Sequence, residues 1–411
     1  MKTEYRKTEY TIKQILTTNH AWLKFYEKHK KNLRKDILEC IVKLLSCGTK
    51  ARGYQEYKCS NPDCSHFKRI FFTCKSRACS SCGKKATEAW IEKQNNILPR
   101  TSWQHITFTM PCELWDMFWL NRTLFNPIAK LAAECVKTLA KKKLVIPAIF
   151  VAMHSFGRDL KRNVHIHLST TTGGLTPDEK WKNIFFHQDT LMKMWRYKII
   201  NLFRSAYKEG TLIISEKIKR RLNHTFTFNH FLNKLYNKNW IVHCSEASTD
   251  HKQNVSYLGR YIKRPAIAES KLRHYDGNEV TFNYLNHTSN KYQKYTLSVE
   301  QFIGKFVQHI PDKGFRLIRY FGILANRVRG KLLPIVYRLL GQTEKKEVNE
   351  NKRRIVTTVT HATLMIKSFG VDPLTCILCG AQLIFSSIQP GLTKVSGLID
   401  AHHRLALLHK I

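Results

Sequence analysis

Val164-His165-Ile166-His167-Leu168-Ser169 alternates apolar and polar residues. A period of two marks a half-buried β-strand. Side chains two apart on a strand share a face, so His165 and His167 project together while Val164, Ile166 and Leu168 face the core. Two imidazoles on one rigid element make half of a divalent-metal site. Spacing alone supports this weakly. With 19 His in 411 residues, chance supplies roughly 0.9 such pairs, so the surroundings decide between a metal site and histidines that merely hydrogen-bond.

Those surroundings are a hairpin. Residues 144–154 read as a buried strand, 157–163 as a polar turn, and Gly173-Gly174 as the far boundary of the His-bearing strand. A metal needs a third ligand. His154 ends the preceding strand, and a hairpin brings it beside the pair; Asp159 in the turn and His105 on an earlier strand, 103–109, are the other candidates.

The chain carries 69 Lys+Arg against 30 Asp+Glu, a net charge of +39. A surface this basic repels itself unless a polyanion covers it, and nucleic acid is the usual one. Aromatics at 11% add surfaces for stacking unpaired bases. The length allows two or three domains. No apolar run approaches about 18 residues, so no membrane span is expected, and Met1-Lys2-Thr3-Glu4-Tyr5 lacks a signal-peptide core. Twelve Cys in such a chain argue for reduced thiols and metal sites over disulfides.

Cys59-x4-Cys64 and Cys79-x2-Cys82 are two short pairs joined by a loop that contains Cys74. This is the pattern of a tetrahedral zinc site, in which each pair spans a knuckle. The expectation is one zinc on Cys59, Cys64, Cys79 and Cys82, with Cys74 or His66 as an alternate ligand. Arg77 and its basic neighbours suit phosphate contact. Farther on, Cys376-x2-Cys379 with His402, His403 or His409 downstream is a looser candidate for a second zinc.

A helix over 251–263, stopping before Pro265, carries Tyr257 and Tyr261 on one face. A tyrosine can act as a covalent nucleophile. Its unperturbed pKa near 10 keeps it protonated at neutral pH, so a cation must assist. Arg260, Lys263 and Arg264 lie close in sequence as DNA contacts. Two core tyrosines on an amphipathic helix are the bland alternative. Helices are also expected at 11–47, 84–97, 113–141, 189–207, 298–309 and 323–340, a strand pair at 279–297, and a charged linker at 343–354.

Zinc knuckle, His-x-His strand and Tyr-x3-Tyr helix, in that order in a basic chain, resemble the rolling-circle insertion-sequence transposases, two-tyrosine HUH endonucleases with a zinc-binding head. Cys74-Lys75-Ser76-Arg77-Ala78-Cys79-Ser80-Ser81-Cys82 is similar to the head signature, and His105-Ile106-Thr107-Phe108-Thr109-Met110-Pro111 to the first catalytic strand. Tyr257-Leu258-Gly259-Arg260-Tyr261 resembles the nucleophile helix, and residues 314–322 the closing motif. Ala78-Cys79-Ser80 stands where the family has His-Cys-Pro, and Lys263-Arg264-Pro265 departs from the usual continuation.

The resemblance implies an α+β fold: a central antiparallel HUH sheet flanked by helices, a head at 1–98, a catalytic domain at 99–340, and a linker and tail at 341–411. It implies Mg²⁺ or Mn²⁺ on the histidines, structural Zn²⁺ in the head, and nicking and joining of single-stranded DNA at transposon ends through a 5′-phosphotyrosine. It implies a bacterial cytoplasmic, nucleoid-associated setting and sets no oligomeric state. A rolling-circle replication initiator or relaxase is the alternative enzyme, although no Gly-x4-Gly-Lys-Ser/Thr phosphate loop for a fused helicase occurs. A non-catalytic zinc-bearing DNA-binding protein is the alternative of a different class.

Overall fold

In a computed structural model, which describes residues 9–224, 226–259, 265–286, 289–342, 362, 365–366, 369–370, 372–392 and 394–408, the helical periodicity of 11–47 resolves into three helices: α1 (Ile12–Thr17), α2 (Ala21–His29) and α3 (Lys35–Ser46). One break falls at Asn19 and His20, both left-handed (φ 51° and 55°), a conformation no helix continues through. Strands β1 (Gly53–Cys59) and β2 (Phe67–Phe71) form an antiparallel ribbon. Helix α4 (Ser80–Ile97) then leads out of the cysteine-rich turn.

The second part of the chain is built on a sheet. Strand β3 (Trp103–Phe108) is followed by α5 (Trp115–Leu120) and α6 (Phe125–Lys142). A single helical stretch was expected over 113–141. Asn121 divides it: its backbone leaves helical geometry, and its side-chain amide bonds the carbonyls of Met117 and Ile213. Strands β4 (Ile146–Phe156) and β5 (Arg162–Leu175) form the expected hairpin. After β6 (Trp181–Asn183) come α7 (Gln188–Lys208), α8 (Glu216–Lys219), α9 (Phe228–Tyr236), β7 (Val242–Cys244) and α10 (His251–Gly259). A three-stranded meander follows, β8 (Leu272–Tyr275), β9 (Glu279–Leu285) and β10 (Tyr292–Ser298), and then α11 (Val299–Val307), which starts at a Ser298–Gln301 capping box. Strand β11 (Ile318–Gly322) and α12 (Arg329–Leu339) complete this part.

The central sheet is antiparallel throughout, in the order β11-β4-β5-β3-β7, with β6 alongside the end of β5. On one face Val164, Ile166 and Leu168 of β5, Ile149, Val151 and Met153 of β4, and Ile106 and Phe108 of β3 pack against α6, α7 and α9. Small residues of α6 (Ala129, Ala132, Ala133, Ala140) let that helix lie close. On the other face Trp103, Ala148, Phe150 and Ala152 pack against Trp90 of α4, Val255 of α10, and Leu333 and Val336 of α12. Helix α10 sits directly on α4: a Cβ on Gly259 would lie 2.5 Å from the Ile91 side chain, so only glycine fits at that crossing without displacing it.

A separate core joins α1–α3 to the meander and α11. The tip of the β4–β5 hairpin is plugged into it through Leu160, which is fully buried. Leu160 has φ 60°, which costs a residue with a Cβ of order 1 kcal/mol. Two elements not anticipated from the sequence close the chain on itself. Strand β12 (Leu383–Pro390) pairs along β1, and the C-terminal helix Val395–Leu408 packs on α3, with the indole of Trp22 donating to His402 Nε2 at 2.8 Å.

Truncating the plug tests the connection. Leu160→Ala should cost about 2–5 kcal/mol of unfolding free energy. Leu160→Gly should be no less stable than the alanine variant, because glycine accepts the left-handed backbone freely. Chemical denaturation reads both; a glycine variant clearly below alanine would mean that the backbone there is not strained.

Candidate metal centre and the helix beside it

The two-residue period of β5 sets the geometry. His165, His167 and Ser169 leave the sheet on the face opposite Val164, Ile166 and Leu168. Register supplies the remaining groups. His154 of β4 pairs directly with His165, and small Ala152 stands opposite His167. On the other side Thr107 of β3 pairs with His167, and His105 with Ser169.

The structure thus brings His154 to the pair. One ring nitrogen from each of His154, His165 and His167 lies within 4.8 Å of the other two, and the ring centroids are 4.8–5.3 Å apart. That converging imidazole set fits one metal ion. Asp159 is turned to Lys161 instead, in the turn. His105 lies behind the triad, with Nε2 3.0 Å from His167 Nδ1 and Nδ1 3.1 Å from the Ser169 hydroxyl. The carbonyl of Asn163 accepts from His165 Nδ1 at 2.9 Å. Partners of this kind fix ring orientation and tautomer, leaving Nε2 to a metal. Burial, reinforced by the neighbouring imidazoles, pushes His167 well below the ordinary histidine range. Burial and His243 push His105 down to about 4. His105 and His167 are therefore neutral at physiological pH, as ligation by His167 requires.

Helix α10 packs on this same sheet face. Asp250 caps its first turn, accepting from the Gln253 backbone N–H, and His251 Nε2 lies 3.3 Å from the Asn95 carbonyl of α4. Val255 and Gly259, four residues apart, form the side pressed against α4 and the sheet. Tyr257 lies within α10. Tyr261, Arg260, Lys263 and Arg264 lie outside the described residues.

The cysteines fall into two groups. Cys59 and Cys64 are not brought to Cys79 and Cys82. Cys79 and Cys82 meet Cys74 and Cys47, the residue that ends α3, with sulfur atoms 3.6–3.8 Å apart. Backbone N–H groups of Cys74 and Ser76 donate to Cys47 and Cys74 sulfur. Cys59 and Cys64 meet Cys376 and Cys379. The physical reason is the β1–β2 ribbon: it ends one knuckle at its tip, while the other lies at the start of α4. Sequence reasoning missed Cys47, which has no short-range cysteine partner; its signal is a place at the end of an amphipathic helix followed by Gly48. Of the tail ligand candidates, His402 and His403 instead meet Trp22 and Tyr26, and His409 lies outside the described residues. Arg77 lines a cavity of about 220 Å³ between the Cys74 knuckle and the end of β4, with Ser155, Pro265 and Ala266 on its wall. Burial lowers its guanidinium to about 10.

Comparison with known proteins agrees with this assembly. Residues 148–331, which carry the His hairpin and α10, match the family described as "Putative transposase". Residues 17–110 match the family described as "Transposase zinc-binding domain". The chain is 39% identical, over 94% of its length and 92% of the relative's, to the transposase for insertion sequence element IS801 of Pseudomonas savastanoi pv. phaseolicola. It is 28% identical, over 72% of its length and 76% of the relative's, to the putative transposase y4qJ of Sinorhizobium fredii. No solved structure matches. The chain belongs to the rolling-circle insertion-sequence transposase family represented by the IS801 enzyme. Among the described residues no helix is long and apolar enough to cross a membrane.

The buried neutral imidazoles make stability depend on pH. His105 and His309 are both held near 4, chiefly by burial, against about 6.5 in an unfolded chain. Between pH 6.5 and 4 the unfolded state binds more protons, so stability falls as pH falls through that window. The melting temperature of metal-free protein should drop from pH 7 to pH 5, and less so in His309→Gln. A flat profile would contradict the neutral assignment.

Proposed function

We propose that this transposase nicks and rejoins single-stranded DNA at transposon ends with a tyrosine nucleophile, Tyr257 of α10 or Tyr261 four residues later in the sequence. The observation that supports it most is the placement of α10 and the His154–His165–His167 triad on one face of one sheet. His105, Ser169 and the Asn163 carbonyl hold the triad's rings in place, and the three imidazoles would hold a divalent ion. Such an ion would supply Lewis-acid polarisation of the scissile phosphate and stabilisation of charge on the departing oxygen. Imidazole ligands suit Mn²⁺ better than Mg²⁺, which prefers oxygen.

In the chemical step the phenol oxygen bonds to phosphorus and the bond from phosphorus to the 3′ oxygen breaks. The phenol proton is lost and the 3′ oxygen is released as a hydroxyl. The resulting 5′-phosphotyrosine keeps one ester bond for each it replaces, so a free 3′-OH can reverse the step and join a new strand without a nucleotide cofactor. Two tyrosines four residues apart serve two successive transfers, one holding an end while the other cleaves.

Arg77, Arg260, Lys263 and Arg264 are proposed to contact phosphates. A groove of about 810 Å³ along α2, α5 and α11 offers a further path, with Trp119 under the Arg162 guanidinium at 5.0 Å and Arg162 three residues from the triad. On this reading 1–98 is the DNA-recognition head, with structural zinc on Cys47, Cys74, Cys79 and Cys82. Residues 99–340 carry the chemistry, and 341–411 form a linker and C-terminal segment.

Tyr257→Phe with Tyr261→Phe should abolish the covalent adduct with a 3′-labelled single strand in Mn²⁺; an undiminished adduct would refute the nucleophile assignment. His105→Ala should weaken Mn²⁺ binding about 10- to 100-fold while leaving Tyr257 and Tyr261 intact, as measured by calorimetry.

A further inference from the structure

The β1–β2–β12 sheet lacks what normally holds a sheet together. None of its described residues belongs to any of the three hydrophobic cores. Ile384, Phe385, Ile388 and Phe67 are each more than half exposed. Three short strands without an apolar core need a staple. At one end of the sheet stand Cys59 and Cys64, and against them Cys376 and Cys379.

We infer that Cys59, Cys64, Cys376 and Cys379 hold a second structural zinc ion, and that this ion clasps the C-terminal segment onto the head. The four sulfur atoms lie within 4.8 Å of one another. Cys59 to Cys379 is 3.4 Å and Cys64 to Cys376 is 3.8 Å. Tetrahedral thiolates about 2.3 Å from zinc stand about 3.8 Å apart, whereas a disulfide needs about 2.05 Å. Both pairs sit on tight turns built for convergence. The Cys64 N–H donates to the Asn61 carbonyl, and the Gly380 N–H to that of Cys376, where Gly380 takes φ 74°. The two turns are also tied to each other, by the Ser60 N–H donating to the Gln382 carbonyl. His66 Nδ1 lies 3.1 Å from Cys376 sulfur, placed to donate to a thiolate from outside the ligand set.

The ligands are 312 and 320 residues apart in sequence, and the zinc-binding family match ends at residue 110, before the second pair. The site therefore forms only after the C-terminal segment returns to β1. The ion's binding free energy then stabilises β12 against β1, since no such site exists in the unfolded chain. This inference stands independently of the strand-transfer reading.

Metal analysis of the full chain tests it. Cys376→Ser with Cys379→Ser, and separately Cys59→Ser with Cys64→Ser, should each lose one zinc per chain relative to wild type, and combining all four should lose no more than one. Native wild-type protein provides a readout that no misfolding can mask. With zinc bound, Cys59, Cys64, Cys376 and Cys379 should resist alkylation, and a chelator should expose all four together, with β12 becoming protease-sensitive. An unchanged zinc count in the variants would overturn the clasp, as would free alkylation of Cys376 and Cys379 in the zinc-loaded protein.

Discussion

One constraint governs the site: the register of β5 between β4 and β3. A shift of one residue would turn His165 and His167 into the core and Ile166 out to solvent, since the side-chain period is two. The protein makes that slip costly. Val164, Ile166 and Leu168 are fully buried on one side, while β5 is paired along both edges with β3 and β4. The same pairing carries His154 opposite His165 and His105 opposite Ser169. The triad and its supporting shell are thus consequences of strand register, held by hydrophobic burial on the far face.

The sheet is in turn held between two bodies. Helices α6 and α7 press on its apolar face, and α4, α10 and α12 on the face that bears the histidines. Helix α4 belongs to the zinc-binding segment at its start and to the sheet's core at Trp90. The hairpin that ends in the triad inserts Leu160 into the core of α1–α3 and the meander. The zinc-binding segment and the central sheet are mechanically connected twice, by a helix and by a hairpin tip. Strand β12 and the C-terminal helix add a third link, returning the chain's far end to β1 and α3.

Much of the site was readable from the sequence because its signals are local. The alternation over 164–169 reports a strand, and His154 precedes it by the length of a hairpin turn. The α+β class came from the family resemblance that these motifs carry. What was not readable depends on pairing at long range. Cys47 has no cysteine at knuckle spacing, its nearest being Cys40, and Cys376 with Cys379 looks like a separate knuckle until β12 is laid along β1. Five cysteines in 59–82 suggest a single site from spacing alone, yet the β1–β2 ribbon separates the Cys59–Cys64 pair from the rest. Asn121 and the left-handed Asn19 and His20 break helices whose apolar pattern continues through them, because periodicity does not register a single backbone reversal.

The account rests on convergence of the imidazole triad and the tyrosines Tyr257 and Tyr261 on one ion. Anomalous diffraction from crystals of the full chain grown with Mn²⁺ and a single-stranded oligonucleotide measures this directly. The account predicts one manganese peak within bonding distance of His154, His165 and His167, with the scissile phosphate on its open side and a phenol oxygen of Tyr257 or Tyr261 in line with that phosphorus. A peak on other residues, or both phenols turned away from a phosphate bound at the triad, would contradict it.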